Sequence, residues 1–305
     1  MPAPPDGVRR NHPLARLTTI RTGGPAELFA RPGTVEELQE LLAWAAAEGI
    51  EVGVVGSGSN LLVADEGVRG LVLKLDRDLS HIEQHGDRLE CGGGARLPAV
   101  SARASRLGLS GIEFGVNIPG TVGGAVRMNA NAYGGELART LEWVDVVSAA
   151  GVARRTPDDL GFAYRRSSIG PGEIVARAMF ALSPAPAETV KATLAELRDR
   201  RRAAQPAGIK TFGSTFKNPE DPRAEGRSAG MLLDAAGCRG LRVGGASISE
   251  KHANFVVNDG TATTADVVAV MAAARDRVRD RFEVTLEPEV QTLGPVGLPE
   301  EWRAA

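Results

Sequence analysis

The stretch that decides the fold is residues 54–62, VVGSGSNLL, in which an apolar run meets a turn with glycines at positions 56 and 58. A Rossmann dinucleotide site instead needs G-x-G-x-x-G at the opening of a helix, where the pyrophosphate lies on the helix N-terminus. Leu61 takes the place of the third glycine, and the next residues, LLVADEGVRGLVLKL, have the pattern of strands and a turn. The stretch therefore predicts either an ordinary tight turn or a loop whose backbone N–H groups bind phosphate oxygens, and it excludes a Rossmann site.

A βα unit surrounds this turn. Residues 34–48 are predicted to form a helix between the strands AELFA and EVGVV, because Thr34 and Glu37 have the spacing of a capping box and Gly49 ends the pattern. The residues LVLKL at 71–75 form a further strand, and such a unit predicts parallel pairing. The apolar face of the helix consists of Leu38, Leu41, Leu42 and Ala45.

The rest of the chain mixes helices with short strands, which predicts an α+β fold. A hairpin is predicted to turn at Ala150 and Gly151, and strands are predicted near GGASIS, ANFVVN and the closing VTLEPEVQTLG. Residues 108–135 are too rich in Gly, Asn and Pro for regular structure, and so long a loop in a compact domain is usually functional. The later helices are predicted at residues 97–107, 187–203, 228–236 and 265–281.

Composition limits the classes of function. The 305 residues carry a net charge of -2, with 43% hydrophobic and 24% charged residues, which is close to the average of globular proteins. This balance gives no general affinity for nucleic acid or an anionic membrane. Two cysteines and four histidines without metal-ligand spacing predict neither a disulfide framework nor a metal site. With no apolar run of about 18 residues and no signal-peptide pattern, we expect a cytoplasmic protein.

Two segments combine glycine-rich turns with polar side chains. In GVNIPGTVGGAVRMNANAYGGE the glycines let the backbone approach a ligand, and Asn129 and Asn131 offer amides for hydrogen bonds. In GSTFKNP a glycine exposes the hydroxyl of Ser214, with Lys217 and Asn218 in the same turn. A serine that merely caps a turn is the alternative for the second segment.

Two further segments carry charge. In YRRSS, Tyr164 stands beside Arg165, whose guanidinium matches a carboxylate or phosphate bidentately; an exposed arginine pair on a strand is the alternative. In LEPEV, Glu287 and Glu289 are two apart along a strand and face the same side, and Pro288 limits that strand to an edge or a rim. Surface carboxylates on an edge are common, so only a partner would make one of them catalytic.

In this order the segments resemble the UDP-N-acetylenolpyruvoylglucosamine reductase (MurB) family of flavoenzymes in bacterial cell-wall synthesis. No single motif is decisive, but seven in the same order along nearly the whole chain are highly specific. In that family the GSGSN-like turn binds the pyrophosphate of FAD. The segments that carry the resemblance are TTIRTGGPAELFARP, VVGSGSNLLVADEGVRGLVL, GIEFGVNIPGTVGGAVRMNANAYGGE, FAYRRSS, FGSTFKNP, GGASISEKHANFVVN and LEPEV.

The resemblance implies a non-Rossmann, two-part FAD-binding region of the PCMH/VAO type with a smaller α+β substrate-binding lobe. It places FAD-binding subdomain 1 at residues 1–75, FAD-binding subdomain 2 at 76–207 and the substrate-binding domain at 208–289. A tail of about residues 290–305 is expected to pack back on the first subdomain. The short spacing between YRRSS and GSTFKNP resembles the shorter of the family's two types, and the protein is expected to be a monomer.

The resemblance also implies the reaction. NADPH delivers a hydride to non-covalently bound FAD, and flavin N5 passes it to the enolpyruvyl methylene of UDP-GlcNAc-enolpyruvate, which gives UDP-N-acetylmuramate. Arg165 stabilises the resulting enolate, and Ser214 donates the proton, directly or through a relay. Glu289, as a protonated acid or through the network it anchors, hydrogen-bonds the same charge. The implied contacts with the substrate or NADPH are Tyr164, Lys217 and Asn218. The implied flavin contacts are Gly56, Ser57, Gly58, Ser59, Asn60, Leu61, Ile118, Pro119, Gly120, Thr121, Gly123, Gly124 and Asn129.

Three residues differ from, or are given no catalytic role in, the pattern of this family, and two other classes of protein are alternatives to it. Asn117 and Asn131 stand where the family more often has small residues, and His252 in EKHANF matches a family signature but is assigned a structural role. One alternative is an FAD-dependent hydroxy-acid or alcohol oxidase of the same superfamily, which often tethers its flavin through a histidine that neither glycine loop has here. The other is a non-catalytic nucleotide-binding module, which leaves the three catalytic candidates unexplained.

Overall fold

The structure, a computed structural model, describes residues 4–206, 208–299 and 302. These residues form six α-helices and eighteen short strands. The helices are α1 (Val35–Ala47), α2 (Leu97–Arg106), α3 (Val122–Arg127), α4 (Ala187–Ala204), α5 (Ala229–Ala235) and α6 (Thr264–Phe282). The strands are β1 (Arg9–Pro13), β2 (Pro25–Ala30), β3 (Val52–Val54), β4 (Leu61–Val63), β5 (Val68–Leu73), β6 (Ile82–His85), β7 (Arg88–Gly92), β8 (Leu109–Ser110), β9 (Asn131–Ala132), β10 (Gly135–Glu136), β11 (Leu141–Ser148), β12 (Gly151–Arg155), β13 (Ile174–Ala181), β14 (Ser183–Pro184), β15 (Arg242–Val243), β16 (Ala246–Ile248), β17 (Val256–Asn258) and β18 (Gln291–Leu293).

Residue contacts divide the chain into two compact units. The first unit contains the described residues of 1–10, 28–57 and 70–201, and the second contains those of 11–27, 58–69 and 202–305. The contact grouping follows packing rather than ligand binding, so the division into two FAD-binding subdomains and a substrate-binding domain stays a prediction.

The first unit is built on a five-stranded antiparallel sheet with the order β12-β11-β13-β7-β6. One core of this unit packs α2 and α3 against β7, β11 and β13. A second core packs the apolar face of α1 against strands β3 and β5 and neighbouring residues. Strands β3 and β5 pair in parallel. Strand β5 lies between β2 and β3, so the parallel pairing predicted for the βα unit does not form between its own two strands.

Helix α1 begins and ends where the sequence predicts. Thr34 caps it, because its Oγ1 accepts a hydrogen bond of 3.2 Å from the N–H of Glu37. The carboxylate of Glu37 in turn accepts from the N–H of Gly33 at 2.8 Å. All four residues predicted for its apolar face are buried, namely Leu38, Leu41, Leu42 and Ala45.

The prediction that residues 108–135 lack regular structure is wrong. They contain α3, a 3₁₀ turn at Glu113–Asn117 and the short strands β8, β9 and β10. Helix α3 forms despite two glycines because Thr121 caps it and its apolar side chains are buried in the core. Tertiary packing here outweighs the low helix propensity of glycine.

The hairpin of β11 and β12 closes one residue earlier than predicted. Ser148 pairs with Gly151, so the two loop residues are 149 and 150. The Ser148 hydroxyl accepts from the N–H of Ala150 at 3.3 Å, and this bond closes the turn before Gly151.

The second unit packs α5 and α6 against the three-stranded sheet β15-β16-β17. The predicted closing strand is shorter than VTLEPEVQTLG: β18 covers only its last part and pairs in parallel with β4. Pro288 makes a single bridge with Phe216, since a proline has no N–H to extend a ladder. In the parts of the chain that the structure describes, no helix is long and apolar enough to cross a membrane.

Candidate active site

The glycine turn at residues 56–60 makes one of its close contacts within the first unit. A Cβ atom on Gly56 would lie 2.6 Å from Oγ1 of Thr121, so only glycine fits at this position. The ammonium of Lys74, in the strand segment LVLKL, donates to the carbonyl of Gly56. Burial, together with the nearby charges of Arg31 and Arg96, lowers the pKa of Lys74. The sequence interpretation did not assign Lys74 to the site, although a lysine that ends an apolar strand beside a glycine loop is a readable signal.

Hydrogen bonds of the backbone fix the second glycine-rich segment, residues 118–124, within the first unit. Thr121 caps α3 by accepting a hydrogen bond from Gly124 N–H at 3.4 Å, and Gly123 N–H donates to the carbonyl of Gly93 at 2.7 Å. The carbonyl of Gly120 accepts from the N–H of Leu97 at 3.0 Å. Ile118 and Pro119 precede this turn and are both half-buried.

Asn117, at the end of the 3₁₀ turn Glu113–Asn117, bonds to α4. Its side-chain nitrogen donates to the carbonyl of Leu197 at 2.7 Å, and its own carbonyl accepts from Arg201. Asn117 is buried, and its contacts anchor α4 to the segment that carries the glycine turn.

The rest of the opening turn belongs to the second unit. Gly58 has a φ of +66°, and a Cβ atom there would lie 2.0 Å from the carbonyl oxygen of Leu17. The Gly58 carbonyl accepts from both the N–H and the hydroxyl of Thr19, at 3.0 and 3.1 Å. Leu61 begins β4, so the predicted strand, and no helix, follows the turn.

Asn129 has a buried side-chain oxygen that accepts no hydrogen bond from the described residues. Its side-chain nitrogen donates to Oε1 of Glu136 at 2.8 Å and to the carbonyl of Ala163 at 3.3 Å. Its Oδ1 has no hydrogen-bond partner among the described residues, although Asn129 is only 2% exposed. A buried acceptor of this kind costs about 1–3 kcal/mol unless a ligand or water supplies the donor.

Arg165 lies in the first unit at the third position of a tight turn. Ala163 and Arg166 exchange two backbone hydrogen bonds of 3.1 Å, and Arg165 between them has a φ of +56°. Its guanidinium lies 5.0 Å from the ring centroid of Tyr164 and donates to Oδ1 of Asn131 at 2.7 Å. A left-handed conformation at a non-glycine residue costs about 1–3 kcal/mol and is concentrated at functional sites.

Ser214 and Glu289 lie on two segments of the second unit that pair with each other. Glu289 N–H donates to the carbonyl of Thr215 at 2.9 Å, and the carbonyl of Glu289 accepts from Nδ2 of Asn60 at 3.2 Å. Ser214 itself bridges to Phe255 on its other side. The structure thus brings the Ser214 segment, the Glu289 segment and the end of the glycine turn together.

The predicted substrate contacts differ in their surroundings. Lys217 N–H donates to the carbonyl of Glu287 at 2.9 Å, and the Lys217 ammonium lies 3.3 Å from the Glu287 carboxylate. Oδ1 of Asn218 accepts from the N–H of Ala229 at 3.1 Å, at the start of α5. Tyr164 is 39% exposed.

Asn254, in the segment EKHANF, is a positioning residue that the sequence interpretation missed. Its side-chain oxygen accepts from the N–H of Phe216 at 2.9 Å, and its side-chain nitrogen donates to the Phe216 carbonyl at 2.8 Å. Its own carbonyl accepts from Thr215 N–H at 2.8 Å. Asn254 therefore pairs like an extra strand residue with the segment that carries Ser214.

His252 makes contacts of a structural kind. Its Nδ1 accepts from the N–H of Asn254 at 3.2 Å, and its ring packs edge-on against Phe255 with centroids 4.8 Å apart. Burial lowers the pKa of His252, which favours the neutral ring that this hydrogen bond needs.

Two features of the first unit fit an FAD molecule. The first is the close approach of Gly56 to Thr121, which brings the two glycine-rich turns that would hold the cofactor next to each other. The second is the orphaned acceptor on Asn129, which suits an N–H donor such as the imide of an isoalloxazine ring. The residues therefore fit the cofactor that the resemblance implies.

Comparison with known proteins defines the class. A family model described as an FAD binding domain matches residues 26–156, and another described as UDP-N-acetylenolpyruvoylglucosamine reductase, C-terminal domain, matches residues 205–293. The protein is thus an FAD-binding flavoprotein of the α+β class, which confirms the predicted fold class and cofactor.

Relatives along the whole chain are more specific. UDP-N-acetylenolpyruvoylglucosamine reductase 2 of Symbiobacterium thermophilum is 44% identical over 95% of this chain and 93% of its own length. The corresponding reductase of Rubrobacter xylanophilus is 41% identical over 93% of this chain and 94% of its own length. The crystal structure of MurB from Thermus caldophilus superposes with a TM-score of 0.81 at 39% identity and covers 94% of this chain and 99% of that one.

The chain belongs to the UDP-N-acetylenolpyruvoylglucosamine reductase family. It is an oxidoreductase that uses FAD and NADPH in the synthesis of a peptidoglycan precursor. The family predicted from the seven motifs is therefore confirmed.

Proposed function

We propose that this chain reduces the enolpyruvyl group of UDP-GlcNAc-enolpyruvate to give UDP-N-acetylmuramate, with Arg165, Ser214 and Glu289 as its catalytic residues. The observation that carries the proposal is the pairing in the second unit, where Glu289 N–H binds Thr215 next to Ser214 and the Glu289 carbonyl binds Asn60. A proton donor, a carboxyl group and the end of the glycine turn are thereby held on hydrogen-bonded backbone.

Bound FAD supplies the hydride, which it takes from NADPH. The reduction adds that hydride at the methylene carbon of an enol ether, so negative charge develops on the neighbouring carbon and spreads into the attached carboxylate. Arg165 binds this carboxylate through its guanidinium fork and stabilises the charge as it develops. Two backbone hydrogen bonds between Ala163 and Arg166 fix the turn that carries Arg165, so the guanidinium extends from a fixed Cα.

Ser214 gives its proton to the carbanionic carbon, which completes the single bond. A hydroxyl is a weak acid, so water or a positioned neighbour must replace the proton that Ser214 gives up. Glu289, as a protonated acid or through the network it anchors, hydrogen-bonds the developing charge. General acids of this kind typically contribute about 10²- to 10⁴-fold to the rate. Tyr164, Lys217 and Asn218 contact the substrate or NADPH.

The flavin is held without a covalent bond, and the residues proposed to contact it are those of the two glycine turns. Subdomains at residues 1–75 and 76–207 bind it, and residues 208–289 bind the substrate. The proposed flavin contacts are Gly56, Ser57, Gly58, Ser59, Asn60, Leu61, Ile118, Pro119, Gly120, Thr121, Gly123, Gly124 and Asn129.

We further propose that the protein acts as a monomer in the cytoplasm, without nucleic acid or a membrane as partner. The net charge of -2 supports this proposal, since it gives no general attraction to polyanions.

The experiment separates the two half-reactions of Ser214→Ala by stopped-flow absorbance of the flavin. Because Ser214 is the proton donor to the sugar substrate alone, NADPH should reduce the variant's flavin within about twofold of the wild-type rate. Reoxidation by UDP-GlcNAc-enolpyruvate should fall by about 10²-fold or more. Ser214→Cys, which keeps an ionisable proton, should recover part of the second rate.

Equal losses in both half-reactions of Ser214→Ala would contradict the assigned role. Rapid reoxidation by oxygen with a simple hydroxy acid as reductant, and none by the UDP sugar, would instead support the oxidase. A purified protein that binds no flavin at all would support the nucleotide-binding module.

A further inference from the structure

We infer that Asn131 is a positioning residue for Arg165, and that it restrains the guanidinium for the carboxylate of the substrate. The inference rests on the proposed function, because it takes from there the role of Arg165.

The contact is short and both of its ends are held. Nη1 of Arg165 donates to Oδ1 of Asn131 at 2.7 Å, a distance typical of a hydrogen bond assisted by charge. Asn131 opens β9 and pairs with Glu136 of β10, so its backbone is fixed by a small ladder. The Tyr164 ring centroid lies 5.0 Å from the guanidinium carbon.

The chemistry of the partner matters as much as its place. An amide oxygen accepts a hydrogen bond from a guanidinium and limits its rotation while it leaves the full positive charge in place. A carboxylate at position 131 would hold the guanidinium as well, but it would also neutralise the charge and compete with the carboxylate of a substrate. Asn131 therefore orients the guanidinium of Arg165 without neutralising it, and an oriented positive charge is what electrostatic stabilisation of a developing anion requires.

The surroundings of Asn131 are open to a small molecule. A cavity of about 320 Å³ in the first unit is lined by Asn131, Tyr133, Glu136 and Tyr164 among others. This volume lies at the lower end of the range of small-molecule sites. Both tyrosines of the chain are on its wall and are exposed, so Asn131, the partner of Arg165, borders a space that a ligand can enter.

The test is a double-mutant cycle on the two half-reactions. Asn131→Gly, which removes the amide, should slow reoxidation by UDP-GlcNAc-enolpyruvate by about 5- to 20-fold, since a misplaced catalytic group can cost up to about 10²-fold. Reduction by NADPH should stay within about twofold. In an Arg165→Ala background the same change should have no further effect beyond about twofold, because its target is gone.

Two further variants separate orientation from other effects. Asn131→Asp keeps the hydrogen bond but adds a competing charge, so it should weaken substrate binding by about tenfold or more, measured as perturbation of the flavin spectrum. Ala132→Gly is the matched control, because it loosens the same short strand without removing the bond to Arg165. Because glycine weakens a strand, its thermal unfolding midpoint should fall slightly, whereas its reoxidation rate should fall by less than about twofold, well short of the loss expected for Asn131→Gly.

The outcomes distinguish the inference from the proposed function. If Arg165→Ala reoxidises at the wild-type rate, the role proposed for Arg165 is wrong. If Arg165→Ala is slow but Asn131→Gly is not, only the role of Asn131 is wrong. If Asn131→Gly slows both half-reactions equally, or slows reoxidation equally in the Arg165→Ala background, Asn131 does not act through Arg165.

Discussion

The buried side chain of Asn254 gives a prediction that can be worked out from the structure. Replacing it by leucine, which has a similar shape, removes both hydrogen bonds to Phe216. Asn254 is 4% and Phe216 is 1% exposed, so water cannot replace the lost partners without opening the core. Each buried backbone group left without a partner costs about 1–3 kcal/mol, which predicts a loss of about 2–6 kcal/mol for the two together.

This loss is a large part of the stability of a typical domain, which is about 5–15 kcal/mol. The assay is urea unfolding followed by circular dichroism, with the free energy of unfolding extrapolated to water. Asn218→Ala is the matched control, since Asn218 is exposed and accepts one bond, from Ala229 N–H at the start of α5. Loss of such a bond at a helix start costs about 1 kcal/mol.

The decisive result is which of the two variants, Asn254→Leu or Asn218→Ala, has the lower free energy of unfolding. We expect Asn254→Leu to be the less stable by at least about 1 kcal/mol. If it is as stable as Asn218→Ala, the hydrogen bonds of Asn254 do not hold the Ser214 segment, and the positioning role given to Asn254 is wrong. Because the effect is on the fold, thermal unfolding of the protein without substrate should show the same order.

Two other predictions follow from backbone strain and from charge. Arg165→Gly should be more stable than Arg165→Ala by about 1 kcal/mol in urea unfolding, although glycine is usually the less stable of the two. Both variants lose the guanidinium, but only glycine relieves the left-handed φ. If the alanine variant is the more stable, residue 165 is not strained. Hydrogen bonds, first from Arg242 and then from Thr261, lower the pKa of Asp259 from 3.8 to about 2. The folded state therefore binds this proton less tightly than the unfolded state, so the stabilisation is complete above pH 3.8 and is lost as the pH falls toward 2. The difference in unfolding midpoint between wild type and Asp259→Asn should shrink over that interval, and a constant difference would contradict the assignment.

Local sequence patterns predicted helices and strands well where residues close in sequence determine their ends. Thr34 and Gly49 bound α1 because a hydroxyl and a chain turn act within a few residues of the helix ends. Helix α3 was missed because its two glycines lower its propensity, and only burial of its apolar side against the core makes it stable. Propensity is a local quantity, whereas that burial depends on residues far away in the chain.

The candidate site likewise has a part that the sequence predicted and a part that it did not. The residue types at 165, 214 and 289 and their motifs were readable from the sequence through their likeness to one family. The partners that hold them were not, because Asn131 and Asn254 lie 34 and 38 positions from the residues they bind. A hydrogen bond over such a separation exists only once the chain has folded.

By itself, the sequence determined the class of fold, the family and the chemical groups available for the reaction, since these follow from residue identity and order. Only the tertiary structure decided that Asn60 and Thr215 hold the backbone of Glu289, and that Arg165 stands in a left-handed turn against Asn131. The physical reason is that directional hydrogen bonds depend on positions in space within a few tenths of an ångström, and spacing along the chain does not specify those positions.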